Sequence, residues 1–318
     1  MSTPSNVVEE SVTPQSSWSP FQLYSNFYAF RQGLALPNPG TAESFNKEIK
    51  NTFLTNYFFD GARADLTKIL SPNFQVTHSI ALGTAGAPST YHFTAMYAGP
   101  EFLLHGMVDT DGVLQSRIHY NWTSNLLSKA QLMFTGLPNQ NMLQVETDYQ
   151  GLDYSLNFKA LNPSPADNSG IYIGNYLQSI TKNLVIGFES MIEKPPMRES
   201  TVRSSLLARH SVGNAVATVQ WQGGNALQAS YHQKINEKVE FGTELQISVE
   251  EDKRAALCNV GAKYDFRQAT FRGQVDSSGK VTALLEEKMA PGFSLMLSAE
   301  VDHAKGQNKV GVGLMLES

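Results

Sequence analysis

The sequence predicts an all-β fold: a 19-stranded transmembrane β-barrel, an antiparallel meander closed by a parallel pairing of its first and last strands, preceded by an N-terminal helix. Three observations carry this. From Gly61 to Ser318 apolar and polar residues alternate with period two. Turn signals interrupt the alternation at short, nearly even intervals. No apolar run approaches the ~20 residues that a membrane helix needs, although a barrel strand can span with ~9 to 11 alternating residues.

Composition bounds the rest. The chain of 318 residues is 41% hydrophobic and only 17% charged, which argues against disorder of the whole chain. With 24 Lys plus Arg against 29 Asp plus Glu, its net charge of -5 has the wrong sign for phosphate-driven nucleic-acid binding. A charged ligand is therefore expected to be basic. The single cysteine, Cys258, cannot form an internal disulfide, and no cationic-then-apolar leader resembles a secretory signal, so synthesis in the cytosol is expected.

Three zones follow one another. Residues 1–40 are rich in Ser, Pro, Asn and Gln and read as a mobile extension, with one aromatic patch from Phe21 to Phe30. Residues 41–60 read as a helix: Thr41 can N-cap, Glu43 sits in the first turn, and Phe45, Ile49, Phe53 and Tyr57 recur every four residues on one face. Residues 61–318 are the barrel. FQVTHSIALG sets Phe74, Val76, Ile80 and Leu82 against Gln75, Thr77 and Ser79, and VLQSRIHYNW sets Ile118, Tyr120 and Trp122 against Gln115, Arg117, His119 and Asn121. Thr110-Asp111-Gly112, Gly223-Gly224-Asn225, Ser278-Gly279 and Pro291-Gly292 supply hairpin chemistry. The 258 residues after Asp60 divide into roughly 19 runs, or about 13.6 residues per strand with its turn, which suits a membrane strand and a tight connection.

A water-soluble all-β module competes with this reading. A propeller would repeat a signature every ~40 to 50 residues, and none is seen. On many runs an unbroken apolar row opposes a row holding Asp, Glu, Lys, His and Gln, as expected for lipid on one side and a wet lumen on the other. An odd strand count makes the closing seam parallel, with 63–70 expected beside 310–316.

The junction LTNYFFDGARADLTK (Leu54 to Lys68), the stretch GAKYDFRQATFRGQVDSSGK (Gly261 to Lys280) and the following ALLEEK resemble the channel-forming subunits of the translocase of the outer mitochondrial membrane, relatives of the voltage-dependent anion channels. The helix-then-barrel layout agrees over nearly the whole chain. The C-terminal KVGVGLMLES is similar to that family's sorting signal, with Lys309, Gly311, Leu314 and Leu316 in its places. The resemblance implies a pore in the mitochondrial outer membrane for unfolded precursor proteins. It also implies that the N-terminal helix lies inside the lumen, where its face of Phe45, Ile49, Phe53 and Tyr57 would pack on the inner wall. Termini in the intermembrane space, contacts with a receptor and small single-span subunits, and assembly as a homodimer or higher oligomer among membrane lipids are implied as well.

Mitochondrial presequences are basic amphipathic helices, so a conduit for them needs acids along its wall. Strand parity points Glu146, Asp148, Glu189, Glu240, Glu244, Asp265 and Glu300 into the lumen, each either open to substrate or paired with a base such as Lys263 or Arg272. A metabolite porin of the anion-channel kind is the alternative, and it should line its lumen with excess base. No catalytic motif, cofactor signature or metal-ligand spacing is present, and no enzyme activity is expected.

Overall fold

The computed structural model describes residues 31, 33–83, 88–137, 140–164, 167–196, 199–250 and 253–318. The aromatic patch at 21–30 lies outside the described residues. The chain divides into two compact units, Met1–Leu36 and Pro37–Ser318, and the second holds every strand among the described residues.

Its strands are β1 Gly61–Ser71, β2 Phe74–Leu82, β3 Thr90–Ala98, β4 Phe102–Asp109, β5 Leu114–Thr123, β6 Leu126–Phe134, β7 Met142–Gln150, β8 Tyr154–Leu161, β9 Gly170–Ser179 and β10 Leu184–Lys194. They continue as β11 Thr201–Val212, β12 Ala215–Gln222, β13 Ala226–Asn236, β14 Val239–Glu250, β15 Lys253–Asp265, β16 Ala269–Asp276, β17 Lys280–Ala290, β18 Phe293–Asp302 and β19 Gln307–Glu317. Each pairs antiparallel with its neighbours in sequence, and β1 pairs with β19 to close one 19-stranded sheet. The seam is parallel, from Gly61 opposite Gly311 to Thr67 opposite Glu317. Tight connections sit where the turn signals stand, with Gly112 and Gly279 at φ 77° and 86°, which glycine adopts at little cost.

Side chains that meet the segment inside the barrel fix the inward parity of each strand. The outward row then carries Leu66, Ile80, Ile118, Phe188, Leu245 and Leu314, all solvent-exposed in the isolated chain, and this apolar band is what lipid would cover. Cys258 is on the same outer face and exposed.

The helix is shorter than the residue pattern suggests. A 3-10 turn spans Ala42–Ser44, and an α-helix, α1, spans Lys47–Thr52. Thr41 does cap the first turn, accepting from the Ser44 amide at 3.3 Å. The helical backbone stops at Phe53, which is extended (φ -82°, ψ 159°), so Phe53 and Tyr57 follow the helix instead of riding on it.

Parallel closure places the two ends of the barrel at opposite rims: β1 and β19 both run from the side of Gly61 toward the side of Ser318. Odd-numbered strands all end at the Ser318 rim. Asn38 donates to the carbonyl of Gly151, just past the end of β7 (2.6 Å), and Ser179 at the end of β9 donates to the Pro37 carbonyl (2.7 Å). Residues 37–59 therefore run through the lumen from the Ser318 rim toward the start of β1.

Candidate functional site

The lumen is organised around this docked segment. Phe45 is buried in a cluster with Leu177 and Leu207, against which Val185 also packs. Ile49 and Phe53 lie on Gly242 and Gly261, which face each other across β14 and β15. A Cβ built on Gly261 would stand 2.6 Å from Phe53 Cδ1, and one on Gly242 would stand 3.2 Å from Ile49 Cδ1. The paired glycines are a dent in the wall that admits both side chains. Tyr57 is the exception on the predicted face: it is exposed, with the Arg272 guanidinium 4.3 Å from its ring centre.

Polar contacts fix the segment's height and rotation. Arg209 donates to the carbonyls of Ser44 (3.3 Å) and Phe45 (2.7 Å) and pairs with Glu48 (2.7 Å). Thr218 donates to the Asn46 side chain (2.8 Å), and the Leu54 amide donates to Gln274 (3.0 Å). Near the start of β1 the Ser298 hydroxyl donates to the Phe59 carbonyl. Gly311 is required there, since a Cβ on it would come within 2.5 Å of the Phe59 oxygen.

The seven acids expected on the wall all face the lumen, and they sort into two kinds. Glu146 and Asp148 are only 2% exposed, covered by the segment at 38–43. Lys129 lies 3.0 Å from Asp148 and 3.5 Å from Glu146, Lys159 lies 3.7 Å from Glu146, and Asn157 donates to both carboxylates. Asp265 pairs with Lys263 (2.7 Å), Glu300 with Lys280 (2.8 Å) and Lys309 (3.8 Å), and Glu240 lies 3.5 Å from His232. Among the described residues Glu189 and Glu244 are in no ion pair; Glu244 accepts from Gln228. A cavity of about 510 Å³ opens beside the docked segment, lined by Gln228, Glu244, Asn259, Gln274, Asp276 and Glu300. Of the C-terminal residues, Lys309 and Gly311 face inward, and Leu314 and Leu316 are exposed on the outer face.

The sequence profile of the family described as eukaryotic porin matches residues 38–311. The mitochondrial import receptor subunit tom40 of Neurospora crassa is 36% identical over 309 residues, 93% of this chain and 87% of that protein. The TOM40 subunit of Saccharomyces cerevisiae is 34% identical over 325 residues, covering 93% and 82%. The chain belongs to the eukaryotic porin family, in its Tom40 branch. The human TOM40 homolog is 32% identical over 292 residues, covering 88% of this porin and 79% of its own length. A solved mutant of Rh. blastica porin overlays with a TM-score of 0.46 at 10% identity, over 80% of this chain and 96% of that one.

In this porin the residues that matter to the lumen beyond the expected acids are Lys129, Arg209, Gly242, Gly261 and Gln274. Their signal in the sequence is their inward parity: two glycines at opposed positions of adjacent strands leave room that nothing on those strands fills. What fills it lies about 200 residues upstream.

The tie between Glu43 and Lys129 is pH-dependent. The hydrogen bond from Lys129 (2.9 Å) holds the Glu43 carboxyl below its ordinary value of 4.5. A depressed carboxyl stabilises the docked state fully above that ordinary value and loses its contribution as pH falls through the depressed one. Protection of the 42–52 amides, corrected for intrinsic exchange, should hold from pH 7 to 5 and step down below it. In Glu43→Gln the step should vanish, leaving uniformly lower protection.

Proposed function

We propose that this outer-membrane porin conducts unfolded, presequence-bearing precursor proteins into mitochondria, guided by the acids that remain open in the lumen. The observation that carries the reading is the cavity beside the docked segment, whose Glu244 and Asp276 have no cationic partner among the described residues. A Lys or Arg side chain of a passing presequence would supply one. Weak, replaceable pairing suits transport, because an exposed pair is worth only about 0.2–1 kcal/mol and a tight one would trap the cargo. Glu146 and Asp148 are already neutralised and covered, and they anchor the N-terminal segment instead.

The path of that segment also supports termini on one side of the membrane. The barrel unit begins at Pro37 on the Ser318 rim, where β19 ends, which suits the intermembrane-space placement that the family resemblance implies. We further assign the exposed Leu314 and Leu316, with Lys309 and Gly311, to the C-terminal sorting signal. The receptor and small single-span subunits, and a second copy of the chain, would meet the outer apolar band.

Glu189→Gln with Glu244→Gln tests the assignment. Import of strongly basic presequences should slow roughly threefold, the effect of losing two weak pairs, while weakly charged cargo keeps its rate. Glu146→Gln with Asp148→Gln should slow both cargoes alike, through loss of anchoring. Equal slowing of both cargoes by the first pair would overturn the electrostatic path. Anion-selective conductance unaffected by a basic presequence peptide would favour a metabolite porin.

A further inference from the structure

The lumen wall built by β3 to β5 differs from the rest. Its inward row carries His92, His105 and His119 on three successive strands, with Met96, Met107 and Gln115 between them. All three imidazoles are half-buried in a wall that also faces the wet lumen. In the ring of 19 strands these positions lie nearly half a turn from β14 to β16, which carry Glu244 and Asp276.

The charges around them are few. His92 faces Ser79 on β2 and Asp109 on β4, its Nδ1 being 3.4 Å from that carboxylate. Beyond Ser79 stands Asp65 on β1, which is paired with Arg63 (2.7 Å). His105 faces Met96 on β3 and Arg117 on β5. His119 faces Leu103 on β4 and Lys129 on β6, and that lysine is engaged by Glu43, Asp148 and Glu146. Among the described residues, with neutral imidazoles this sector holds one unpaired base, Arg117, and one acid, Asp109. With charged imidazoles it gains up to three positive charges in a diagonal band.

We propose that His92, His105 and His119 together set the charge preference of the pore. Neutral near pH 7.5, they leave the unpaired acids of the opposite wall to dominate the lumen. Protonated, they turn the β3–β5 wall cationic, so that small cations and basic polypeptide segments are admitted less readily. Histidine is suited to this because its ordinary titration falls between the carboxylates and the amines. Unperturbed carboxyls titrate near ~4, below this window, and the Gln variants separate imidazoles from any carboxyl that titrates within it.

The inference rests on the channel reading and is tested separately from it. Reversal potentials of the full chain in planar bilayers under a KCl gradient would be compared at pH 7.5 and 5.5. Acidification of the wild type should lower the cation-to-anion permeability ratio about twofold or more. The His92→Gln, His105→Gln, His119→Gln triple variant should lose most of that change. His232→Gln alone, next to Glu240 on another wall, should keep it. As a second probe, the triple His→Arg variant should show at pH 7.5 a ratio at least as low as the wild type shows at pH 5.5. An acid shift of equal size in the wild type and the Gln triple variant, or a wild-type ratio in the Arg variant at pH 7.5, would overturn the proposal while leaving the channel intact. Absence of conductance from the wild type would overturn the channel reading and this inference with it.

Discussion

Gly261→Val should release the N-terminal segment from the wall. A Cβ at this position would stand 2.6 and 2.8 Å from two carbons of the Phe53 ring, and the next nearest atom is the Gly273 carbonyl oxygen at 3.4 Å. The ring must therefore leave, since backbone of a paired barrel strand yields less readily than a lumenal side chain. Phe53 is 3% exposed, and losing such a packed ring costs about 3 kcal/mol by comparison with Phe→Ala changes in protein cores. At 1.4 kcal/mol per tenfold change, the undocked population should rise roughly 100-fold. Single-channel current noise and protease access to 42–53 would read it. Phe53→Ala should act similarly alone, and Gly261→Val should add little on top of it, because the two remove the same contact. Full additivity would show that Gly261 serves the strand and not the docked segment.

This prediction marks where sequence reading reaches and where it stops. The strands were legible because lipid outside and water inside impose a period of two on every run, and because hairpins leave Gly, Asn and Asp at their turns. The seam followed from counting: an odd number of hairpin-linked strands forces β1 and β19 to run the same way, and the register places Gly61 opposite Gly311. The helix was only half legible. Its four-residue spacing reflects burial of Phe45, Ile49 and Phe53, but burial on a curved wall does not need continuous helix. The Gly242 and Gly261 dent draws Phe53 into extended backbone, and no local pattern announces that.

The acids show a second limit. Parity turns Glu146 and Asp148 inward, but their partners come from neighbouring strands: Lys129 is opposite Glu146 on β6, and Lys159 is opposite it on β8. Whether an inward carboxylate is open or closed depends on cross-strand register, which alternation alone leaves free by two residues at a time. Glu189 and Glu244 have the same local signature as Glu146, and they differ only in what stands across from them.

Arg209→Gln should undo the docking from the polar side. One guanidinium holds two backbone carbonyls of residues 44 and 45 and the Glu48 carboxylate, so it joins the 3-10 turn to α1 as well as fastening both to β11. Hydrogen bonds to charged groups contribute about 1.5–3 kcal/mol each when shielded, but Glu48 is about one-third exposed and solvent screening reduces its share. A net loss of about 2 kcal/mol is expected, or a roughly 30-fold rise in exchange of the 44–52 amides. Glu48→Gln should cost less, near 0.5 kcal/mol, because the two carbonyl contacts of Arg209 survive it. The double variant distinguishes the roles: if Arg209 acts mainly through the carbonyls, its loss remains nearly as large in the Glu48→Gln background. If the effect of Arg209→Gln disappears there, the ion pair with Glu48 carries the docking.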